Sequence, residues 1–488
     1  MPRQISDQAL DAAGRRPFDL DPSDMRRMAD LVVEALIARH TTLHEQPTWR
    51  GATRADMRRR LARGTPEEPG EFAELVDHVL RDVLEHAGRI DHPRFMAFVP
   101  SSPVWPAVLG DLLAAGYNAF GGTWLGSGGP SALELEVLDW FKSWIGYPPA
   151  SAGLLTSGGS TANLLALACA RLTRFGAHDD RAALYVSAEA HSSVLRAARV
   201  LGFHPERVRL VDTDEGMRLR LDALESAVRA DRAAGLEPFL VVASAGATST
   251  GAIDPLPELR ELADRERLWL HADAAYGGFA TLCERGRDLL RGLGGADSVT
   301  LDPHKWLFQP FEAGCLLVRD GHLLTDAFHI MPDYMQDTVV AKGSIPDDAE
   351  VNFADRGIQL TRATRALKIY LSVHCFGLKA FRDEIERALA LTERAEAWIR
   401  DVEHLELRSP AQLGIVCFRN LGTGGVESDE DAIEALNRRL VQRLRDSGAG
   451  MISSTRVRGR YALRLCIMNH RTEWDDVEAV LRLLAERD

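Results

Sequence analysis

The stretch Asp297-Ser-Val-Thr-Leu-Asp-Pro-His-Lys-Trp306 predicts a buried strand that stops at a turn carrying a lysine. The proline removes an amide donor and disfavours helix in the residue before it, so the strand ends there. Lys305 therefore follows a strand end, with His304 and Trp306 as neighbours. An amine partly shielded from water loses its charge more readily and can attack a carbonyl carbon. A surface lysine on a loop is the alternative interpretation.

Short apolar runs on either side of this stretch alternate with helical patterns from residue 150 to residue 320. Near-continuous apolar strands separated by helices are typical of a mainly parallel sheet that is covered on both faces. The predicted fold class is therefore α/β. The predicted strands are 183–187, 208–211, 239–243, 268–271, 298–301 and 314–318.

The two ends of the chain have a different character. Residues 1–90 show helical spacing of apolar residues at 28–36 and 72–80, with too few apolar faces to fold alone. We expect this arm to pack on another surface. Residues 91–370 are predicted to form the large domain, and residues 371–488 a small α+β domain.

Further elements are predicted within these two domains. Ser131 is expected to cap a helix, and two more helices are expected near 365–375 and at 378–402. Strands around 413–418 and 461–467 and a closing helix from Asp475 complete the small domain.

Composition excludes several classes of function. A formal net charge of -13 argues against binding to nucleic acid or to an anionic membrane. The six cysteines lie far apart and show no metal-ligand spacing, which indicates a reducing compartment and no metal site. The first ten residues lack an apolar segment, and no apolar run is long enough to span a bilayer. We expect a cytoplasmic protein.

A glycine-rich turn, Thr156-Ser-Gly-Gly-Ser-Thr161, runs directly into an apolar helix. Gly158 and Gly159 let the backbone approach a ligand, Ser160 adds a hydroxyl group, and the helix N-terminus supplies free N–H groups. These are the components of a phosphate site. The motif is neither a P-loop nor G-x-G-x-x-G, and an ordinary capped helix start is the alternative.

Two more polar residues follow predicted strands. His191 is either a buried histidine or a flat ring stacked on a flat ligand. Asp273 is predicted to be buried, where a carboxylate needs a cationic partner. No Arg or Lys stands beside it in the sequence, so the cation is either a ligand or a distant arginine. A phosphate site, a stacking ring, a buried carboxylate and a reactive lysine together indicate pyridoxal 5′-phosphate (PLP).

These residues resemble the group II PLP-dependent amino acid decarboxylases, which include enzymes for aromatic amino acids, histidine, tyrosine and glutamate. The resemblance runs from about His92 to the C-terminus and is most specific at Ala190-His-Ser-Ser193, His271-Ala-Asp-Ala-Ala-Tyr276 and Pro303-His-Lys-Trp306. It implies the PLP fold-type I (aspartate-aminotransferase-like) architecture. It also implies a homodimer with a shared active site, over which the N-terminal arm wraps.

The resemblance further implies roles for individual residues. Lys305 would form the Schiff base, Asp273 would pair with the pyridine nitrogen, and His191 would stack on the cofactor. Further implied cofactor contacts are Gly159, Ser160, Thr248, Ala275 and His304. Tyr334 resembles the tyrosine of a mobile catalytic loop. Arg362 resembles an arginine that holds the substrate carboxylate or neighbouring structure, with a helix-surface arginine as the alternative. Aromatic residues near the expected substrate pocket include Phe98 and Trp124.

Departures from the family pattern concern the substrate and the phosphate. Asp302 stands where many members have Asn, and we do not assign it to the phosphate because a carboxylate would repel it. Phe98 stands where several aromatic decarboxylases have Tyr. The stretch 126–130 is longer than its counterpart in the family.

The predicted reaction is decarboxylation of an L-amino acid, with an aromatic substrate favoured over glutamate or another acidic one. Transamination or aldehyde synthesis on the same cofactor is the nearest alternative. Aldehyde synthases typically replace the loop tyrosine by Phe, so Tyr334 favours decarboxylation. A non-catalytic scaffold is the remaining alternative, and the intact set of Lys305, Asp273 and His191 argues against it.

Overall fold

The fold is seen in a computed structural model that describes residues 18–100, 102–330, 333, 350–423 and 429–487. The chain divides into two compact units, residues 1–89 and residues 90–488. Tyr334 lies outside the described residues, so its role in a catalytic loop stays a prediction.

The first unit is helical. The patterns at 28–36 and 72–80 fall within its first and third helices. The helices are Pro22–Thr42 (α1), Arg54–Leu61 (α2) and Phe72–Asp82 (α3). A capping box starts α2, in which the Thr53 hydroxyl accepts from the Asp56 amide at 3.1 Å while the Asp56 carboxylate accepts from the Thr53 amide. No residue of α1 is buried, although Met25 and Leu31 are apolar.

Strands of the described part of the second unit form two sheets. They are Phe95–Met96 (β1), Ala152–Thr156 (β2), Ala182–Ser187 (β3), Val208–Val211 (β4), Glu237–Ser244 (β5), Trp269–Asp273 (β6), Ser298–Leu301 (β7), Gly314–Val318 (β8), Leu405–Gln412 (β9), Ile415–Asn420 (β10), Met451–Val457 (β11) and Arg460–Cys466 (β12). The helices are Trp105–Tyr117 (α4), Trp124–Ile145 (α5), Gly159–Phe175 (α6), Ser192–Val200 (α7), Leu221–Ala233 (α8), Leu256–Glu266 (α9), Glu284–Leu289 (α10), His322–Phe328 (α11), Ala366–Arg400 (α12), Glu430–Asp446 (α13) and Trp474–Leu484 (α14).

The larger sheet has seven strands in the order β2-β8-β7-β6-β5-β3-β4. Strands β3 to β7 are parallel, and β8 is antiparallel to both of its neighbours. The carboxyl ends of β2, β3, β5, β6 and β7 therefore lie at one edge of the sheet. All six strands predicted for residues 150–320 are present. Strands such as β3, β5 and β8 are almost entirely buried and apolar, whereas β4, at the edge of the sheet, is only partly buried.

Strand β2 is not predicted from the sequence. It contains Gly153, a residue type that is depleted in strands. A glycine is needed there because a Cβ atom would lie 2.5 Å from the carbonyl oxygen of Leu316 on β8. Close packing between two strands explains this residue, and a single sequence gives no sign of it.

The smaller sheet has five strands in the order β1-β11-β12-β10-β9. Its core includes Phe418, Leu463 and Val477, which are fully buried. Strand β1 pairs in parallel with β11, with Phe95 opposite Met451. A segment at the start of the second unit therefore completes the sheet formed by its end.

Two helices differ from the sequence prediction. Helix α5 begins at Trp124, where the Thr123 hydroxyl accepts from the Gly126 amide at 3.2 Å, and Ser131 lies inside it. The prediction that Ser131 caps this helix is wrong, because a kink at Ser127 and not a cap separates its two parts. Helix α12 joins the two predicted helices near 365–375 and at 378–402, with a non-helical residue, Gly377, between them.

Candidate active site

A cavity of about 330 Å³ lies at the carboxyl ends of the parallel strands. Ser244 ends β5, Asp273 ends β6, and the turn carrying Asp302 and Lys305 follows β7. Ligands of α/β sheets bind at this edge, so the strand order by itself brings these groups together. Eight predicted site residues line the cavity: Gly159, Ser160, His191, Thr248, Asp273, Ala275, His304 and Lys305.

Lys305 is held by its own turn. Its amide donates to the carbonyl of Asp302 at 3.0 Å, and its Nζ lies 3.0 Å from the Asp302 carboxylate. The lysine side chain is 18% exposed and the aspartate side chain 4% exposed. A buried carboxylate therefore balances the charge of the ammonium group inside the cavity.

Asp302 has a larger role in the site than turn formation alone. Its Oδ2 also lies 3.6 Å from Nε2 of His304, and its buried Oδ1 has no hydrogen-bond partner in the described part of the chain. Burial lowers the pKa of His304, whose Nδ1 accepts from the Ala313 amide at 3.3 Å. The sequence analysis left Asp302 without a role and did not identify its contact with Lys305.

Asp273 is buried, and both of its carboxylate oxygens accept hydrogen bonds. Oδ1 accepts from the Ala275 amide at 3.2 Å, and Oδ2 accepts from the Asn163 side-chain amide at 2.9 Å. Among the described residues, no Arg or Lys forms an ion pair with Asp273. We therefore expect a ligand to supply the positive charge that a buried carboxylate needs.

Asn163 was missed by the sequence analysis. Its amide nitrogen donates to Asp273 and also to Ser193 Oγ, each at 2.9 Å. Its oxygen accepts from Thr300 Oγ1 at 2.7 Å and from His271 Nε2 at 3.0 Å. The available signal was an asparagine among the apolar residues at the start of α6, because a buried amide group needs hydrogen-bond partners.

His191 caps α7 through its ring. Nδ1 accepts from the Ser193 amide at 3.3 Å and lies 2.7 Å from Ser193 Oγ. Burial lowers the pKa of His191, opposed by the charge of Asp273. His191 lines the cavity, and its lowered pKa favours the uncharged ring.

Gly158 and Gly159 form a cradle at the start of α6. Gly158 has φ 154°, and a Cβ atom on Gly159 would lie 3.0 Å from Cβ of Ala275 and 3.1 Å from Asp302. No side chain caps the helix, so its first N–H groups are available to an anion. This cradle, the fixed carboxylate of Asp273 and the amine of Lys305 fit the phosphate, ring nitrogen and aldehyde of PLP.

Of the described residues that the sequence analysis singled out, Trp124, Phe98 and Arg362 do not line this cavity. Trp124 begins α5, and its amide donates to the Asn352 side chain at 2.9 Å. Phe98 is 61% exposed and has φ 53°. Its amide donates to Ser453 Oγ at 3.2 Å, and its carbonyl accepts from Arg464. Arg464 also donates to the carbonyl of Thr248 at 2.8 Å, which connects Phe98 to the cavity wall.

Arg362 is neither a cavity residue nor a helix-surface residue. It precedes α12, is 3% exposed, and forms an ion pair with Glu134 at 2.6 Å. It also donates to the carbonyls of Gly121 at 2.8 Å and Leu155 at 2.7 Å, while Glu134 accepts from the Leu155 amide at 2.8 Å. These bonds occupy the guanidinium, so the structure does not favour the assignment of Arg362 to the substrate carboxylate.

The described residues contain no group of three or more His, Cys, Asp or Glu side chains that could hold a metal ion. Among the same residues, no helix is long and apolar enough to cross a membrane.

Comparison with known proteins gives matches over most of the chain. Residues 55–421 match the pyridoxal-dependent decarboxylase conserved domain. The aromatic-L-amino-acid decarboxylase of Bacillus atrophaeus is 37% identical over 464 residues, which cover 95% of this chain and 95% of that protein.

Solved structures share the same architecture. Oryza sativa TDC with PLP and tryptamine has a TM-score of 0.89 at 28% identity, covering 96% of this chain and 98% of that one. Rhodiola rosea 4-hydroxyphenylacetaldehyde synthase has a TM-score of 0.87 at 25% identity, with the same coverage of 96% and 98%. With the mainly parallel seven-stranded sheet, these likenesses confirm the predicted fold class.

Proposed function

The chain belongs to the family of pyridoxal-dependent decarboxylases, and on this premise we propose that it converts an aromatic L-amino acid to its amine and CO2. Its cofactor is PLP and it is a carboxy-lyase. The aromatic substrate is supported by the similarity to an aromatic-L-amino-acid decarboxylase and to a structure that holds tryptamine, an aromatic amine.

The chain's own side chains divide the work of this reaction. When bound, PLP supplies an electron sink for the electron pair that is left when the carboxylate departs. Lys305 supplies the amine that holds the aldehyde, and Asp273 supplies the negative charge that keeps the ring nitrogen protonated. The N-terminus of α6 at Gly159 supplies donors for the phosphate.

One observation carries this proposal: Asp273 and Lys305 line the same cavity, and each is held in place by its own set of contacts. The Asp273 carboxylate is locked by the Asn163 side chain at 2.9 Å and by the Ala275 amide at 3.2 Å. The Lys305 amine is locked by Asp302 at 3.0 Å. The Asp273 carboxylate suits the protonated ring nitrogen of PLP, and the Lys305 amine suits its aldehyde. A surface that only binds a partner needs neither group.

Phe98 supports an aromatic substrate. A bulky residue with φ 53° carries strain of about 1–3 kcal/mol, which persists only where the surroundings impose it. Here Ser453 and Arg464 fix the backbone on both sides of Phe98, and the ring stays 61% exposed. A strained aromatic residue whose backbone is connected through Arg464 to Thr248 of the cavity wall is a candidate for recognising an aromatic side chain.

Incubation of the PLP-loaded enzyme with each common L-amino acid, followed by measurement of CO2 and mass spectrometry of the products, tests the function. We expect CO2 and the amine from Trp, Tyr or Phe. Faster CO2 release from glutamate would overturn the substrate class. Aldehyde and ammonia would place the enzyme with the aldehyde synthases, to one of which its fold is similar.

Variants separate the substrate class from the reaction. Phe98→Ala is expected to raise KM for the aromatic substrate about tenfold with little change in kcat, since it removes contacts made before the reaction. Phe376→Ala removes a ring of comparable exposure, 48%, from α12 and should leave KM unchanged. Equal KM values for Phe98→Ala and the unmodified enzyme would remove Phe98 from substrate recognition.

We also propose that the enzyme is a homodimer. Large apolar side chains are exposed along α4 and in nearby segments, among them Leu112 at 60%, Tyr117 at 84%, Leu125 at 72% and Ile358 at 64%. Exposed apolar surface of this kind marks protein interfaces. Light scattering should give twice the chain mass of 53.8 kDa, and a monomer at micromolar concentration would contradict the proposal.

A cytoplasmic location is a further proposal. All six cysteines are free, and five of them are buried. Free thiols suit a reducing compartment. Activity should be recovered in the cytosolic fraction of the source cells, and recovery from an oxidising compartment would contradict this location.

A further inference from the structure

The hydrogen bonds around Asn163 fix which atoms donate and which accept. Asp273 accepts at both oxygens, from the Ala275 amide at Oδ1 and from the Asn163 side chain at Oδ2. The atom of Asn163 that lies 2.9 Å from Oδ2 is therefore its NH2 group, and the second hydrogen of that group points to Ser193 Oγ at 2.9 Å. The Asn163 oxygen then faces two donors, Thr300 Oγ1 and His271 Nε2.

The direction of the next bond follows from this assignment. Because Ser193 Oγ accepts from Asn163, its own proton is free to point at His191 Nδ1, 2.7 Å away. The backbone amide of Ser193 also points at Nδ1, at 3.3 Å, and an amide can only donate. Two donors thus meet at Nδ1, so the proton of a neutral His191 must be on Nε2.

We propose that Asn163 and Ser193 are positioning residues that hold His191 as an uncharged imidazole with its N–H at Nε2, on the cavity side. Neither residue needs to touch the reacting atoms for this role. Asn163 fixes the direction of the Ser193 hydroxyl, and that hydroxyl blocks protonation of Nδ1. His191 therefore presents a hydrogen-bond donor to the cavity without carrying a positive charge.

The surroundings of His191 favour its neutral form. Burial, the largest effect, and the charges of Lys305 and Arg196 disfavour the charged imidazolium, whereas Asp273 and Asp302 favour it. The net effect lowers the pKa of His191 below its usual value. The two donors at Nδ1 act in the same direction, because they stabilise only a ring nitrogen that has no proton.

An uncharged donor suits the loss of CO2, and this consequence rests on the proposed function. A substrate carboxylate gives up its negative charge as it becomes CO2. A full positive charge on His191 would stabilise the carboxylate before the reaction more than in the transition state, which would slow the reaction. A neutral N–H can orient the same carboxylate at a smaller cost.

Deuterium exchange at the ring Cε1–H of His191, followed by mass spectrometry across a pH series, tests the proposal without using activity. The exchange rate reports the protonation midpoint of a single histidine. With PLP-loaded and with PLP-free enzyme, Ser193→Ala is expected to raise the midpoint by about one pH unit. Ser193→Thr keeps the hydroxyl and should restore the midpoint of the unmodified protein. Ser192→Ala, at the exposed neighbouring position, is the matched control and should not shift it.

A second variant tests Asn163. Asn163→Ala should also raise the midpoint and should add little when combined with Ser193→Ala, because both act through the same hydroxyl. Circular dichroism establishes that each variant is folded, and the Ser193 series decides the outcome if Asn163→Ala is not. An unchanged or lower midpoint in Ser193→Ala would overturn the proposal.

Kinetics give an independent readout. In Ser193→Ala the acid limb of the kcat profile should move to higher pH by the same amount, with KM for the amino acid changed less than kcat. A shift of the exchange midpoint without any decarboxylase activity would leave the histidine proposal standing and refute the proposed function. Decarboxylase activity without any shift of the exchange midpoint would support the proposed function and refute the histidine proposal.

Discussion

The Asp302 carboxylate lies 3.0 Å from the Lys305 amine, and its other oxygen is buried with no hydrogen-bond partner in the described part of the chain. The lysine that must react with an aldehyde is therefore paired with a carboxylate before it does so. An amine held against a buried carboxylate has to leave that contact before it can attack a carbonyl carbon. The carboxylate both holds the amine in place and restrains its reactivity.

Asp302→Asn should release this restraint. In the PLP-free enzyme at pH 7.5, we expect Lys305 to react with cyanate several-fold faster than in the unmodified protein, because the amine is no longer held 3.0 Å from a buried carboxylate. Peptide mass spectrometry measures the rate at this single lysine. Asp111→Asn disrupts the comparable pair with Lys368, 3.1 Å apart, and should leave the rate at Lys305 unchanged. A slower reaction of Lys305 in Asp302→Asn would show that the carboxylate activates the amine.

Lys305→Ala should remove covalent attachment of PLP and preserve the fold. After borohydride reduction, the unmodified enzyme should carry the cofactor on the peptide with Lys305, and the variant should carry none. Decarboxylation should fall by several orders of magnitude. Lys379→Ala removes a lysine that is 81% exposed and serves as the control. PLP trapped on a different lysine of the unmodified enzyme would refute the assignment.

Acid should destabilise the enzyme through His271. Burial lowers the pKa of His271 to about 4, whereas an unfolded histidine titrates near 6.5. The stabilisation from the neutral ring is complete above pH 6.5 and is lost as the pH falls toward 4. Between pH 6.5 and pH 5 the loss is roughly 2 kcal/mol.

The urea midpoint, measured at pH 7.5 and at pH 5, checks this dependence. The difference between the two values should be smaller in His271→Gln, which cannot titrate, than in the unmodified protein. His204→Gln changes a histidine whose side chain is 67% exposed and should retain the full difference. The same pH dependence in all three proteins would exclude His271 as its source.

Arg362→Met should destabilise the protein by about 3–5 kcal/mol, because it leaves the Glu134 carboxylate buried without a cation. The urea midpoint of the PLP-loaded enzyme measures the effect. Arg362→Met combined with Glu134→Gln should recover part of the loss. Lys379→Met, at an exposed ion pair with Asp383, should cost less than about 1 kcal/mol. A fully folded Arg362→Met that had lost only substrate affinity would instead support the role suggested by family resemblance.

Much of the site could be predicted because it depends on local sequence. Asp273 ends a strand, and Lys305 and His191 lie on the turns that follow strands. Parallel strands bring such positions to one edge of the sheet. The structure places all three at the same cavity. The strands themselves were predictable because burial on both faces requires continuous apolar runs.

The contacts that the sequence did not reveal depend on distant parts of the chain. Asn163 meets Asp273 and Thr300 across more than a hundred residues, and nothing local marks that convergence. Asp302 was set aside because a carboxylate near a phosphate is unfavourable, an argument that did not consider Lys305 as its counter-ion. Arg362 lies in a segment whose burial depends on Glu134 and Leu155, so its surroundings could not be deduced from its own neighbours.

The ion pair between Arg362 and Glu134 also covers the free edge of strand β2, because both side chains bind the backbone of Leu155. Strand β2 is an edge strand of the seven-stranded sheet, and the N–H and C=O groups of Leu155 are bonded to Glu134 and Arg362 and not to another strand. Arg356 donates to the carbonyl of Gly153, two residues earlier on the same strand, at 3.2 Å. Side chains thus occupy the places where a foreign strand would add to the sheet. The buried ion pair therefore protects the enzyme against edge-to-edge aggregation.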